Sequence, residues 1–407
     1  MSLLSEREST SGVDNWKSAT VDALWSAMTQ QLPSARALRH VIHQHPDLSG
    51  AEGPTAQRVL DALELTGIPD IVGGRIFRIG DEVTPAVALR AELDALPIRE
   101  RSGQPWASTN GAMHACGHDI HLAALVAVIK AIKAVGPILP VVGLLQPREE
   151  TVPSGAPDLL DSQQMKQSPI ATVLGAHVQP QLPEGTFSAA GGAVNAAVDD
   201  FEVTINASGG HAGYPHTTGD PILAAAAIVT TLQGVVARSI DPTHPSVITV
   251  GSLQSGSAPN VIPSTAILSG TIRSFDPGDR DLLCAKVHQV SESLAAIHSC
   301  SATVTTTRGE PILVNDLQLA EAASGWITAR TSLIKAPPLR TCGADDFAFY
   351  GTAYPSLMVF VGVGAPNGPG LHHEAFCPGD DTVDRVAGVL LAAYLAACQV
   401  ALGPVSA

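Results

Sequence analysis

The sequence predicts an α/β protein in which a mainly parallel sheet, covered by helices on both faces, carries an inserted α+β domain. Short apolar segments that suit buried strands alternate with helical patterns along most of the chain, as expected for a parallel sheet buried on both sides. The chain has 407 residues, of which 45% are hydrophobic. This length favours two domains, and the apolar content is sufficient for a large core.

Helices are predicted where apolar residues recur every three or four positions. Residues 16–45 show this pattern, and we expect an interruption near Pro33 because proline removes a helical hydrogen bond. The same periodicity predicts a helix over residues 55–65. Segments rich in alanine and leucine predict further helices over 119–134 and 383–402.

Four short apolar segments predict the buried strands of the parallel sheet. They cover residues 86–93, 139–145, 171–178 and 356–363. Their length and lack of alternation are typical of strands that are covered on both faces. Together with the helices they define a first domain, formed by residues 16–195 and 308–407.

The middle of the chain, residues 196–307, follows a different order of elements. Strands are predicted over 201–207, 246–253, 265–275 and 302–307, and helices over 221–239 and 279–297. The resulting β-α-β-β-α-β order is the split pattern of a ferredoxin-like sandwich. Because it lies between strands of the first sheet, we expect it to be a domain inserted into the larger α/β domain.

Composition and charge exclude several classes of partner. Lys and Arg number 23 against 38 Asp and Glu, a formal net charge of -15, which argues against nucleic acid and anionic membranes. The N-terminal residues lack the features of a secretory signal, and the apolar stretches are interrupted before 18 residues, so we expect a cytoplasmic protein without a membrane span. The six cysteines have no repeating spacing and are expected to be individual thiols.

The densest group of metal-binding residue types is the segment MHACGHDIH, residues 113–121. Cys116 and His118 are two positions apart, so in an extended loop both side chains project to the same side. Thiolate sulfur and imidazole nitrogen suit zinc and related ions. This spacing therefore favours metal binding over helix capping or simple packing.

Other potential ligands follow the predicted strands. Glu149 and Glu150 come after one buried strand, His177 ends the next, and His372 follows the last. Since functional groups collect beyond the carboxyl ends of parallel strands, we expect one set of metal ligands at this edge: Cys116, His118, Glu150, His177 and His372. Five ligands require either a shared bridging group for two metals or a single metal. Glu149, which is not needed as a ligand, is then the candidate general base.

Ten motifs occur in order along the chain. They are RHVIHQHPDLSGAE (39–52), LRAELDALPI (89–98), MHACGHDIH (113–121), LLQPREE (144–150), GAHVQPQLPEG (175–185), GGHAGYPH (209–216), NVIP (260–263), GTIRSF (270–275), ADDFAFY (344–350) and LHHEAF (371–376). In these motifs the sequence resembles the family of metal-dependent amidohydrolases, aminoacylases and carboxypeptidases, which includes hippurate hydrolases and indoleacetyl-amino-acid hydrolases. The resemblance covers about residues 20 to 400.

The resemblance implies a catalytic domain of phosphorylase/hydrolase-like type with an inserted lid and dimerisation domain. It implies hydrolysis of N-acyl or N-aroyl amino acids by a metal-activated water, with two divalent ions (manganese, zinc or cobalt) on the same five ligands and Glu149 as general base. It further implies that Asp94 orients the metal site and that His211 polarises the scissile carbonyl in a neighbouring subunit, which requires a homodimer. Asn260 and Arg273 would bind the free carboxylate of the substrate.

Two alternatives remain open from the sequence. The chain could act on small peptides as a dipeptidase, aminopeptidase or carboxypeptidase, or it could bind a metal without catalysis. The second alternative is disfavoured because the base and all five ligands are present. Arg148 precedes the two glutamates where the family usually has alanine, and residues 151–154 replace a glycine-rich segment, so the substrate preference stays open.

Overall fold

The structure, a computed structural model, describes residues 11–402, with side chains from residue 18 onward. Over this range the helices are α1 (Ser11–Gln44), α2 (Gly53–Ala62), α3 (His118–Val135), α4 (Ala156–Asp161), α5 (Gln163–Gln167), α6 (Pro221–Ser239), α7 (Pro277–Ile297), α8 (Leu317–Arg330) and α9 (Asp381–Leu402). The strands are β1 (Arg75–Ile79), β2 (Ala86–Glu92), β3 (Val141–Gln146), β4 (Ile170–Pro183), β5 (Thr186–Ser188), β6 (Gly192–Asn195), β7 (Ala197–Asn206), β8 (Gly210–His211), β9 (Ser246–Ser255), β10 (Val261–Ile262), β11 (Thr265–Ser274), β12 (Ser301–Arg308), β13 (Leu313–Asn315), β14 (Ile334–Lys335) and β15 (Ser356–Gly364). Short 3₁₀ helices cover Pro215–Thr217 and Asp346–Thr352.

The chain forms two compact units. The first holds the described residues up to 192, together with 314–339 and those from 349 onward, and the second holds 193–313 and 340–348. The sequence assigns residues 340–348 to the first domain, whereas here they pack within the second unit. Thr341 forms a β-bridge with Asn195, and Arg273 donates a hydrogen bond to the carbonyl of Cys342 at 3.0 Å.

The first unit is built on a seven-stranded sheet with the order β1-β3-β2-β4-β15-β5-β14. Its centre is parallel, because β3 pairs with β2, β2 with β4, and β4 with β15, all in parallel. Every residue of β2 and β3 is buried, so both faces of the central sheet are covered, as their uninterrupted apolar character predicts. The short strands β1, β5 and β14 were not predicted from the sequence.

Helix α3 fixes the position of the MHACGHDIH segment relative to the sheet. It packs against both α1 and α9, and its residues are buried almost all round, as expected for a helix that is apolar on every face. Gly117, just before its first residue, has φ 89°, and a Cβ there would lie 2.5 Å from Cγ2 of Val178 on β4. Glycine therefore allows the start of α3 to approach the carboxyl-terminal end of the sheet.

Two helices differ from the sequence expectation. The expected interruption at Pro33 is wrong, because α1 continues through it; buried side chains on this helix, including Leu24 and Ile42, pack in the core of the first unit and offset the lost hydrogen bond. Helix α8 was not predicted. It begins at a cap in which Asp316 accepts a hydrogen bond from the N–H of Leu319 at 2.9 Å.

The second unit contains a four-stranded antiparallel sheet with the order β12-β7-β11-β9. Helices α6 and α7 pack together and share one apolar core with the sheet. Burial alternates along β7, so one face of this sheet is in the core. Both helices begin at an aspartate cap followed by proline, with Asp220 and Asp276 each accepting an N–H at 3.0 Å.

Within the described residues, helices α6 and α9 are long and apolar enough to span a membrane by length and composition. The sequence pattern predicts no membrane span in either segment. Of the apolar window in α9, 72% is buried inside the protein, against 28% for α6. Core helices of soluble proteins also meet these criteria of length and composition. The packing of α9 against α3 and α8 is that of a core helix.

Candidate metal centre

The strand register of the first unit brings several predicted site residues to the same level of the sheet. Glu92 of β2 is paired with Gln146 of β3, and Leu89 of β2 is paired with Leu174 of β4. His177 lies three residues beyond Leu174 and is therefore level with Glu92. The carboxyl ends of β2 and β3 are thus level with His177, from which β4 continues to Pro183, so the expectation that His177 ends its strand is wrong. Parallel α/β sheets commonly bind ligands where neighbouring strands end.

The residues predicted as ligands lie together at this edge. Sγ of Cys116 lies 3.5 Å from Nε2 of His177. The carboxylate of Glu150 lies between two imidazoles, with Oε2 at 3.3 Å from Nε2 of His372 and Oε1 at 3.9 Å from Nε2 of His118. Two overlapping groups of donor atoms, each lying within 4.8 Å of one another, share Glu150: Cys116, Glu150 and His372, and His118, Glu149 and Glu150.

Hydrogen bonds to carbonyl groups set the tautomers of two of these histidines. Nδ1 of His118 lies 2.9 Å from the carbonyl of Asp94, and Nδ1 of His177 lies 2.7 Å from the carbonyl of Val178. Because a carbonyl only accepts hydrogen bonds, Nδ1 is the protonated nitrogen in both neutral rings. Their Nε2 atoms then carry the lone pair that a metal requires.

The polar atoms at this edge fit a divalent cation. Nε2 of His118, Oε1 of Glu150 and Oδ1 of Asp94 are buried, and none has a hydrogen-bond partner among the described residues. An acceptor nitrogen facing acceptor oxygens is satisfied by a cation, and buried polar atoms rarely stay unsatisfied. The mixture of sulfur, nitrogen and carboxylate ligands suits zinc, manganese or cobalt rather than calcium.

The electrostatics of the centre also favour a cation. Burial lowers the pKa of His118, but the carboxylates of Glu92, Asp94 and Glu150 outweigh it and raise the pKa to about 10. The same negative field that stabilises a proton on this imidazole would stabilise a bound metal ion. Metal binding there would therefore displace a proton.

Asp94 connects the loops that carry the ligands. Its Oδ2 accepts hydrogen bonds from the hydroxyl of Ser49 at 2.7 Å and from the N–H of Glu150 at 3.0 Å, while its carbonyl accepts from His118. Burial would raise its pKa, but the imidazole of His118, 3.5 Å from Oδ1, and the hydrogen bonds from Glu150 and Ser49 lower it. Asp94 is therefore ionised and in contact with two predicted ligands.

His121, in the first turn of α3, connects this helix to the strand that carries His177. Nδ1 of His121 lies 2.9 Å from Oε2 of Glu92, and the N–H of Val178 donates to its Nε2 at 3.0 Å. Because the N–H of Val178 only donates, the proton of His121 is on Nδ1 and is donated to Glu92. Both nitrogens of His121 are thus engaged. In the sequence, the feature that could have indicated this role is the position of His121 one turn after His118.

Behind the centre lies a buried group of charged residues. Oδ2 of Asp119 accepts hydrogen bonds from Nε of Arg39 at 3.0 Å and from Nδ1 of His43 at 2.9 Å. The second nitrogen of His43 lies 3.0 Å from Oε1 of Glu100. Burial lowers the pKa of His43, but Asp119 and Glu100 outweigh it and raise the pKa to about 9.

The three remaining predicted site residues lie in the second unit. His211 and Asn260 are neighbours, because β8 pairs with β10 and the N–H of Ala212 donates to the carbonyl of Asn260 at 3.1 Å. Nδ1 of the exposed His211 accepts the N–H of Gly213 at 2.9 Å. A neutral His211 therefore carries its proton on Nε2 and can donate it. Arg273 lies on β11.

Residues 88–396 match the family model described as peptidase family M20/M25/M40, and the chain belongs to this family. It is a hydrolytic enzyme that acts on amide bonds. The alternative that the chain binds a metal without catalysis is therefore not supported.

Several relatives are similar over most of their length. An N-acetyl-L-cysteine deacetylase of Bacillus subtilis is 35% identical over 91% of this chain and 87% of its own. An N-acetyldiaminopimelate deacetylase of Anoxybacillus flavithermus is 31% identical over 88% of this chain and 96% of its own. Among solved structures, the YXEP protein of Bacillus subtilis, described as a dinuclear metal-binding peptidase of the M20 family, is 29% identical with a TM-score of 0.77, covering 92% of this chain and 99% of its own.

Proposed function

We propose that the enzyme hydrolyses the amide bond of N-acyl or N-aroyl amino acids and releases a carboxylic acid and a free amino acid. The observation that carries the proposal is the placement of Glu149 and Glu150 together against His118, inside a cluster of buried metal-binding groups. The relatives named as deacetylases of N-acetylcysteine and N-acetyldiaminopimelate cleave this type of bond. Their names support the substrate class and leave the acyl group and the amino acid to experiment.

We propose that two divalent ions, manganese, zinc or cobalt, are held by Cys116, His118, Glu150, His177 and His372. The two carboxylate oxygens of Glu150 face the imidazoles of two other proposed ligands, His118 and His372. When bound, the ions would polarise the scissile carbonyl and lower the pKa of the attacking water. The description of the YXEP protein as a dinuclear metal-binding peptidase supports two ions.

Glu149 is the proposed general base. Its Oε2 lies 3.8 Å from Nε2 of His118, and its side chain is 10% exposed, so the carboxylate is held in the cluster with little access to bulk water. It would accept a proton from the attacking water and deliver that proton to the leaving amine. Asp94 would keep the loop of Glu149 and Glu150 in place through its bond to the N–H of Glu150.

The second unit would supply the groups that bind the substrate. His211 has its donor nitrogen, Nε2, available for the oxygen of the scissile carbonyl, where negative charge develops in the transition state. Asn260 and Arg273 would bind the free carboxylate, for which the planar guanidinium offers two parallel donors. We infer that this unit acts as a lid and that His211 serves the active site of a partner subunit.

A homodimer formed through the second unit is part of the proposal. Strand β9 is at one end of the sheet and exposes Val247 and Leu253, whose exposed fractions are 38% and 45%. An edge strand presents N–H and carbonyl groups that can pair with another chain. Light scattering of the purified enzyme checks the dimer, and an active monomer would contradict it.

The test is amino-acid release from a panel of N-acetyl, N-benzoyl, indoleacetyl and longer-chain acyl amino acids. The protein is stripped of metal and reloaded with manganese, zinc or cobalt before the assay. Metal-restored release supports the proposal and ranks the acyl groups. Hydrolysis that requires a free amino group on the substrate would instead favour a dipeptidase or aminopeptidase.

A further inference from the structure

We propose that Glu52 is a positioning residue for Glu149, an inference that rests on the proposed role of Glu149 as general base. Glu52 is the last residue of the RHVIHQHPDLSGAE motif, and no role has been assigned to it above. Its side chain is 1% exposed. A buried carboxylate is costly unless it is hydrogen-bonded, so its partners indicate what it does.

The backbone around Glu149 is bound by a buried carboxylate on each side. Oε1 of Glu52 accepts the N–H of Arg148 at 2.8 Å, and Oδ2 of Asp94 accepts the N–H of Glu150 at 3.0 Å. The two amides flank Glu149 in the chain. Together these bonds hold the segment that carries the base at both of its ends.

The same short segment of chain supports both carboxylates. Ser49 donates its hydroxyl hydrogen to Oδ2 of Asp94 at 2.7 Å, and Glu52 lies three residues further on. Between them Gly50 has φ 85°, a left-handed conformation that glycine adopts without steric cost.

The loop needs this support because of the conformation of Arg148. Its φ is 52°, in the left-handed region that residues other than glycine rarely occupy and that persists only when the surroundings enforce it. A change of Arg148 to an ordinary φ would rotate the chain that follows it and displace the carboxylate of Glu149. The bond from its N–H to Glu52 opposes that change directly.

Glu52 acts on the backbone and not on the metal ligands. Among the described residues, it is outside the groups whose donor atoms are close enough together to hold an ion. Removing it should therefore reduce kcat while the metal content and KM stay close to those of the wild type. A side chain needed only for folding would instead change the amount of folded protein and leave the kcat of that protein unchanged.

The experiment compares Glu52→Ala with Glu52→Gln in the metal-loaded enzyme. We expect Glu52→Ala to lower kcat by about 10- to 100-fold, the range that follows from a displacement of about 1 Å, with the bound metal per subunit unchanged. Glu52→Gln keeps an amide oxygen that can accept the N–H of Arg148 and should recover most of kcat.

The control is Asp47→Ala. Asp47 accepts the N–H and hydroxyl of Thr55 at 2.9 and 2.7 Å, so its loss should lower Tm without changing kcat.

A second comparison tests whether Glu52 acts through Glu149. Combined with Glu149→Gln, Glu52→Ala should cause no further loss of the residual rate, because the group that it positions has been removed. Additive losses, an unchanged kcat in Glu52→Ala, a Glu52→Gln rate as low as that of Glu52→Ala, or parallel loss of metal would each overturn the inference. A fully active Glu149→Gln would instead overturn the proposed function.

Discussion

The backbone N–H of Val178 donates to Nε2 of His121 at 3.0 Å, and so connects the first turn of α3 to the strand that carries His177. Since the carbonyl of Val178 accepts from Nδ1 of His177, His121 contacts the residue that orients this predicted ligand. Its own orientation comes from Glu92. Supporting contacts of this kind commonly determine metal affinity as strongly as some ligands do.

We expect His121→Ala to lower metal affinity by about 10- to 100-fold, because His177 loses its orientation. Competition with a chromophoric chelator measures the change. His45→Ala, which replaces an exposed histidine near the end of α1, serves as control and should bind metal as the wild type does. Equal metal affinity in His121→Ala would show that strand β4 alone orients His177.

Glu149→Gln should lower kcat by about 10²- to 10⁴-fold, the range for loss of a general base. The amide is nearly the same size as the carboxylate but cannot accept the proton of the attacking water. Elemental analysis should find the same metal content as in the wild type. A variant that has lost metal as well would identify Glu149 as a ligand.

His211→Ala should lower kcat by about 10²- to 10³-fold if Nε2 stabilises the oxyanion. Whether His211 acts in the partner's active site can be tested more sharply. The His211→Ala and Glu149→Gln proteins are mixed under conditions in which dimers exchange subunits. Each heterodimer would contain one intact site, so the mixture would recover activity. No recovery in mixed dimers, shown to form by mass spectrometry, would place His211 in the site of its own subunit.

His43 should make the free energy of unfolding depend on pH. Its pKa is raised from 6.5 to about 9 in the folded protein, so its contribution is complete below pH 6.5 and is lost as the pH rises through about 9. We expect His43→Gln to be less stable than the wild type at pH 6 and to lose less stability between pH 6.5 and 9. Urea unfolding of the metal-free proteins across this range checks it, and parallel curves would contradict the assignment.

Metal removal should destabilise the first unit, because the ligands bind the ion only when the strand ends are assembled. We expect a chelator to lower Tm and added metal to restore it, with a shift that grows with free metal concentration. Cys116→Ser, which replaces the soft sulfur ligand, should reduce this shift. A Tm that is independent of metal in the wild type would mean that the cluster does not bind the ions tested.

Local patterns predicted the central part of the site. Cys116 and His118 have a recognisable spacing, and Glu149, Glu150 and His177 each belong to or follow a short apolar strand. The topology of parallel strands then requires that they meet at one edge. Their convergence could therefore be inferred without knowing which strands are neighbours.

The roles of His121 and Glu52 depend on contacts between distant segments and could not be inferred in this way. The role of His121 follows from its bond to Val178, which depends on the position of β4 relative to α3. The role proposed for Glu52 follows from its bond to the N–H of Arg148. Neither bond leaves a periodic signal in the sequence. The continuation of α1 through Pro33 has a similar origin, because packing within the core outweighs the local preference of proline.

The order in which the proposed ligands occur along the chain has a consequence for biosynthesis. Cys116, His118, Glu150 and His177 all precede the second unit, whereas His372 follows it. A nascent chain on the ribosome therefore carries four of the five groups for the whole time that the second unit is being translated. The proposed ligand set is complete only when His372 has emerged, so metal loading with all five proposed ligands belongs to the end of synthesis or later.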